Sequence, residues 1–396
     1  MYIKIKYPFW NLQPVFHTYD YWRYFYWTPF LIYHHRPVKT KFCDFNNVVT
    51  ANLADCTDAV LDEVADLLQC YYVSSDRILH TINQTNIRTI LTGIGEPSFI
   101  SLYYEKKLDK PVQNNEITTI NRPIGCITSR AFFMHYRPTL KEDMYTERSI
   151  YFIDFLCVHR EHDTRKIARN LYQTHEYNQR TQNPNVAVSL IKKEIDLFEG
   201  VVPFVGYNSM TYYLRRNNPP DLPPDFQVIQ LNSENIDILT DFLNIQTNIR
   251  FDNQPCLFDI CITQHSGYYL SLINDKQLHV YCLRREGQIY GLYFFKDTKT
   301  QYDDIEGNTL QCIGSVMNSE DDGLFYSGFL HSLERINKSN SYKMFILEDI
   351  AHNKYILSHW STKYTPVFTN ETAYYLYNFV YPRSPIPPEK CLLLTL

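Results

Sequence analysis

The sequence predicts a mixed α/β fold made of two similar halves, and three observations carry that prediction. Residues 149–182 read as a buried strand, a short turn and an amphipathic helix. Residues 217–225, NNPPDLPPD, set four prolines among nine positions, which makes an extended connector. Beyond it the same alternation of strand-like and helix-like segments resumes. At 396 residues the chain is long enough for two lobes, 1–216 and 217–396.

The first helix is expected over 57–71, where Val60, Val64, Leu67, Leu68 and Tyr71 recur with the helical period behind an N-cap at Thr57 or Asp58. Ser149 to His159, SIYFIDFLCVH, is rich in aromatic and β-branched side chains and too short for a buried helix, so it reads as a central strand. After the turn, Ile167, Ala168, Leu171, Tyr172 and His175 fall on one face of a helix running from Arg165 to about Gln182. In the second half, Ser233 to Leu243 reads as helix, 265–295 as a strand meander turning at Arg285 to Gln288, and 324–338 as helix. Tyr374 to Tyr381 reads as a strand, the prolines at 382, 385, 387 and 388 as a rigid loop, and Lys390 to Leu396 as a closing apolar strand.

Composition excludes several classes. A formal charge of −5 without a long Lys/Arg stripe argues against nucleic-acid binding. No apolar run approaches the roughly 18 residues of a membrane span. The opening Met1-Tyr-Ile-Lys-Ile-Lys6 lacks a secretory apolar stretch, so a cytoplasmic location is expected. Ten cysteines without a C-x-x-C pair read as reduced, buried thiols. Gly93 and Gly95 form too short a pattern for a dinucleotide loop, and His159-x-x-His162 has no third ligand, so neither metal nor prosthetic group is expected. Cys157 and His159 lie two apart on one strand. A covalent acyl-cysteine route is conceivable there, but the pair lacks a third, orienting group.

The segment Cys391-Leu-Leu-Leu-Thr-Leu396 is unusually apolar for a chain end. It reads either as a core edge strand or as a device that carries the Leu396 carboxylate inward, where desolvation raises its proton affinity and makes it a candidate base.

Together with four further segments, this ending resembles the glycylpeptide N-myristoyltransferase (N-tetradecanoyltransferase) family. The segments are Tyr7-Pro-Phe-Trp-Asn-Leu-Gln-Pro-Val15, Leu67-Leu-Gln-Cys-Tyr-Tyr-Val73, Phe155-Leu-Cys-Val-His159, and Tyr374-Tyr-Leu-Tyr-Asn378 before a proline-containing loop. The resemblance implies two pseudo-symmetric acetyltransferase-like halves forming a continuous mixed sheet flanked by helices, the first half binding acyl-CoA and the second most of the peptide. It implies transfer of myristate from myristoyl-CoA, a co-substrate, to the N-terminal glycine amine of partner proteins by a cytoplasmic monomer. The Leu396 carboxylate would be the base, and the backbone N–H groups of Phe155 and Leu156 the oxyanion hole. Tyr7, Phe9, Trp10, Cys157 and Val158 would line the acyl-CoA site, while Thr164, Arg165, Lys166, Ile167 and Ala168 would hold its phosphates at a helix N-terminus. Tyr72, Val73, Asp76 and Tyr212 would meet the peptide.

The chain departs from the family at several points. Asp163 and Arg169 stand where the family has arginine and proline, Ser74-Ser75-Asp76 replaces an acidic run, and Ile195-Asp-Leu-Phe-Glu199 replaces Y-T-A-G before Gly200-Val-Val202. Leu214 replaces a histidine, and Thr369-Asn370-Glu371 replaces Gly-Asp-Gly. These departures motivate an alternative, a weak or inactive homologue that binds acyl-CoA or glycine-ended peptides.

Overall fold

The computed structural model describes residues 9–73, 78–93, 95–109, 118–138, 145–215, 219–247, 257–303, 305–340 and 342–396. Before the proline-rich connector run β1 (Phe30–Leu31), β2 (Val48–Asn52), β3 (Ile78–His80), β4 (Phe99–Asp109), β5 (Thr118–Tyr136), β6 (Thr146–Val158), β7 (Ser189–Glu194) and β8 (Val205–Tyr213). After it come β9 (Gln227–Gln230), β10 (Ile260–Thr263), β11 (Leu278–Arg285), β12 (Gln288–Tyr302), β13 (Ile305–Met317), β14 (Tyr342–Glu348), β15 (Phe368–Tyr377), β16 (Phe379–Val380) and β17 (Cys391–Leu393). The α-helices among the described residues are α1 (Asp58–Tyr71), α2 (Gln84–Leu91), α3 (Thr164–Gln182), α4 (Asp237–Thr247), α5 (Ser266–Asn274), α6 (Asp322–Ser339) and α7 (Asn353–Trp360).

Fifteen strands make one mixed sheet. In the first half β5 and β6 pair antiparallel, α3 crosses over, and β7 lies parallel to β6. The second half repeats this with β12, β13, α6 and β14. A parallel neighbour needs such a crossover, and here each half supplies one helix. The last strand of each unit is exchanged, so that β8 pairs with β14, β15 pairs with β7, and β8 and β15 pair with each other. The result is one continuous sheet in which two like units interlock. Both units also bulge in the corresponding strand. Phe155 and Leu156 of β6 face Ile127 alone, and Ile313 of β13 sits between residues paired with Phe294 and Phe295.

Local chemistry explains the elements. Helix α1 buries Leu61, Val64, Leu67 and Leu68 on the face packed against β5 and β6. Helix α3 is capped by Asp163, whose carboxylate accepts the Lys166 N–H at 3.0 Å. Two sequence expectations need correction. The stretch 265–295 is not a meander throughout, because 266–274 forms α5 and buries Tyr268, Tyr269, Leu272 and Ile273 at helical spacing. Helix α4 starts at Asp237 rather than Ser233, because Asn232 and Asn235 tie the chain into a turn, the Asn232 side chain accepting the Glu234 N–H at 2.9 Å. The expected boundary at 216/217 lies outside the described residues. No helix among the described residues is long and apolar enough to cross a membrane.

The core also holds neutral histidines. Burial lowers His80, His279 and His352 to about 4 and His175 to about 3. His175 lies between Ser101 Oγ at 2.8 Å and Ser129 Oγ at 2.9 Å. With folded values below the ordinary 6.5, the unfolded chain binds more protons between about pH 6.5 and 4, so stability is lost as the pH falls through that window. Each histidine contributes up to about 1.4 kcal/mol per pH unit. Urea midpoints measured from pH 7 to 5 are expected to fall steeply, and a flat profile would rule this out.

Candidate active site

Strand β6 stays beside β7 only for Tyr151 to Ile153, after which the two separate. The bulge follows at once. Phe155 takes φ +52°, a strained choice for a bulky residue, and neither Phe155 nor Leu156 has a paired residue in either neighbouring strand. Two consecutive amides are thereby released from the regular ladder where the sheet opens.

Asp154 organises this opening. Its Oδ1 accepts the Phe155 N–H at 2.8 Å and the Tyr72 hydroxyl at 3.2 Å, and its Oδ2 lies 3.4 Å from both terminal nitrogens of the buried Arg130 guanidinium. The Tyr72 ring meets Phe155 edge-on at 5.6 Å and His80 at 5.3 Å. Burial lowers the Lys296 ammonium, while the Asp154 charge opposes that shift.

A second polar group lies across the exchanged strands. Lys192 of β7 donates to Glu348 of β14 at 2.6 Å and lies 2.9 Å from Glu194. Glu348 also accepts the Tyr207 hydroxyl at 3.1 Å and the Gln311 amide at 2.9 Å. Burial alone would lower Lys192, but Glu348, Tyr207 and Glu194 hold it well above its ordinary value. Tyr374 lies between the two groups, its ring 6.2 Å from Tyr207 and 6.3 Å from Phe152 of β6, over which Arg130 sits at 5.2 Å.

The chain end reaches this same place. Strand β17 runs parallel to β10, and the Leu394 N–H continues that ladder to Ile262 O at 2.9 Å. Thr395 Oγ1 is 2.8 Å from the Tyr374 hydroxyl, and Leu396 is 3% exposed. Leu392 and Leu394 pack against Gly314, just past the bulge of β13, so the second unit's counterpart of the β6 opening is filled by the chain's own final residues.

No protein-family model matches the chain, and no curated protein matches its sequence. Solved structures do match. The chain resembles Saccharomyces cerevisiae N-myristoyltransferase with bound myristoyl-CoA at a TM-score of 0.68 and 14% identity, covering 96% of this chain and 94% of that one. A second structure of the yeast protein gives 0.69 and 13%, covering 97% and 90%. The fold is that of N-myristoyltransferase. A tandem GNAT protein from the clavulanic acid biosynthesis pathway matches at 0.51 and 11%, covering 83% and 98%, in keeping with the doubled acetyltransferase-like build of the N-myristoyltransferase fold.

Within this N-myristoyltransferase fold the sequence-predicted residues fall into three groups. Phe9, Val158 and Ile167 share one apolar cluster, with Trp10 and Ala168 packed against it. Phe9 meets Trp10 and Phe42 edge-on at 5.1 Å, Trp10 lies 4.3 Å from Phe198, and Arg169 stands over Phe9 at 6.0 Å. Thr164, Arg165 and Lys166 are exposed at the start of α3, where Asp163 already accepts the Lys166 amide. Phe155, Cys157 and Leu396 belong to the other apolar core, the partner face of β6, while Leu156 is 39% exposed. Tyr72 joins them at the bulge, and Val73 O accepts a bond from Arg160 at 2.7 Å. Tyr7 and Asp76 lie outside the described residues.

Tyr212 is not brought to this group. It packs against Trp360 at 5.9 Å in a different core, because on β8 the side chains alternate and Tyr207 is the one that faces Glu348. Sequence reading also missed Arg130, Asp154, Lys192, Lys296 and Glu348. A charge inside an otherwise apolar strand, as with Asp154 in FIDFL, was the available signal. The Cys157 thiol lies 3.4 Å from that of Cys126, whereas the His159 ring lies tilted against Tyr71 at 4.2 Å and accepts the Glu161 N–H through Nδ1.

Proposed function

We propose that the chain transfers a myristoyl group from myristoyl-CoA to the N-terminal glycine amine of partner proteins, with residues 1–216 holding the acyl-CoA and 217–396 most of the peptide. The observation that carries this reading is the buried segment 391–396, tied through Thr395 and Tyr374 to the β6 opening. Within the polar set, Arg130, Lys192 and Lys296 lie among Asp154, Glu194 and Glu348, and in this reading an ionised Leu396 carboxylate would add one further anion. A glycine ammonium supplies the matching charge.

That amine has an unperturbed pKa of about 8 and must lose a proton before it can attack. The Leu396 carboxylate takes the proton, the amine adds to the thioester carbonyl, and CoA leaves as a thiol. The Phe155 and Leu156 amides face the developing oxyanion, each such donor lowering the barrier by about 3 kcal/mol. Phe9, Trp10 and Val158 would pack on the acyl-CoA, and Thr164, Arg165 and Lys166 on its phosphates. Asp154 modifies the picture: its carboxylate holds the Phe155 N–H, so the incoming carbonyl must displace it.

That contact also favours the second reading, a homologue that binds acyl-CoA with little turnover, since an anion beside the hole opposes a second negative charge. Release of free CoA from myristoyl-CoA with glycine-ended peptides separates the two. Turnover that vanishes when the leading glycine becomes alanine supports transfer, and tight myristoyl-CoA binding without release supports the second reading. Replacing Cys157 by Ser is expected to leave CoA release within a few-fold of the parent. An acyl group trapped on Cys157, together with lost activity in the variant, would instead establish covalent catalysis.

A further inference from the structure

Of the eighteen large apolar or aromatic side chains exposed among the described residues, nine lie between Leu12 and Val38. They include Tyr21, Trp22, Phe25, Trp27, Tyr33 and Val38, with Phe25 80% and Trp27 89% exposed. The segment is anchored. Tyr24 packs on Phe16 at 4.8 Å, Trp22 on Tyr26 at 5.6 Å and Tyr26 on Phe30 at 4.8 Å, while β1 pairs with β16. Asn378 accepts the Tyr33 N–H at 2.8 Å and donates to Tyr33 O at 3.0 Å. These contacts hold the outermost rings in water on a fixed base.

The charge of this segment opposes that of the chain. Residues 21–43 contain no Asp or Glu, whereas the protein carries −5. His34, His35, Arg36, Lys39 and Lys41 are all exposed. Arg23 is paired with Asp20 at 3.2 Å and stands apart from this group. Protruding Trp, Phe and Tyr come first and the cations follow in a separate stretch. The rings and the cations are thus segregated along the chain, Lys39 lying over the Phe45 and Tyr177 rings and Lys41 over Phe42, where single-strand nucleic-acid binding would interleave rings and cations along a groove. Trp and Tyr favour the water–hydrocarbon boundary of a bilayer, and Lys and Arg favour anionic headgroups.

We propose that the surface formed by Tyr21–Trp27 and His34–Lys41 docks the protein on anionic lipid bilayers, with Trp22, Phe25 and Trp27 entering the headgroup boundary. The inference is independent of the reaction proposed above. Each Lys or Arg near an anionic surface strengthens partitioning roughly fivefold, so the three cations together supply on the order of a hundredfold.

The full chain is sedimented with phosphatidylcholine vesicles containing or lacking phosphatidylserine, at low and high salt. Three proteins are compared: the parent, Trp22→Ser/Phe25→Ser/Trp27→Ser, and Arg36→Glu/Lys39→Glu/Lys41→Glu, each with an unchanged thermal transition. The parent is expected to bind only the phosphatidylserine vesicles, with a blue shift of tryptophan emission. Both variants are expected to lose at least about tenfold in partitioning, and salt to weaken the parent similarly. Equal binding to both vesicle types, no binding at all, or a serine variant that binds like the parent each overturns the proposal. So does light scattering in which the parent is a dimer and the serine variant a monomer, since the surface would then belong to a second copy of the chain.

Discussion

Converting the Leu396 carboxylate to a carboxamide by semisynthesis is expected to lower turnover by about 10³-fold, within the usual range for loss of a positioned general base, while leaving myristoyl-CoA affinity unchanged. The carboxamide keeps the side chain that fills the core, so the packing around Leu394 and Thr395 persists and only the proton acceptor is removed. Activity of the carboxamide protein should climb as pH rises toward ~8, because solution then supplies more free amine. Deleting Leu396 is a cruder form of the same change, since it moves the carboxylate back by about 3.3 Å along the strand direction. Carboxamide protein that turns over like the parent would remove the chain end from the mechanism.

The second large effect is on stability. Lys192 and Glu348 join β7 to β14 over the two intervening strands, and the Glu348 side chain is almost wholly out of water. Lys192→Met leaves that carboxylate with only the neutral Tyr207 and Gln311 donors, and uncompensated buried charge typically costs about 3 kcal/mol. Glu194 on the solvent side contributes little, being half exposed. Adding Glu348→Gln to Lys192→Met should recover much of the loss, and a double-mutant cycle in urea measures the coupling. A coupling below about 0.5 kcal/mol would mean that the pair does not hold the two units together.

Much of the frame was readable from local pattern. Periodicity located α1, α3 and α6 because each buries one face against the same sheet, aromatic and β-branched content located β6, and the apolar ending announced a buried strand. What failed was long-range. Nothing near Lys192 signals Glu348, and Tyr212 was named where Tyr207 faces the polar group, a one-residue question of strand parity that only the pairing of β8 with β14 answers. Segment 266–274 misled because its aromatic content is strand-like, while its burial pattern is helical.

The exchanged strands also set the order in which the protein can assemble. As the chain is synthesised, Ile191 must wait for Tyr375 and Tyr212 for Phe345, so β7 and β8 emerge with their hydrogen-bonding edges open. Closing loops of that length is slow, and unpaired edges invite wrong partners in the meantime. The first unit therefore cannot mature on the ribosome ahead of the second: residues beyond 370 complete both, and chaperones have their opportunity in that interval.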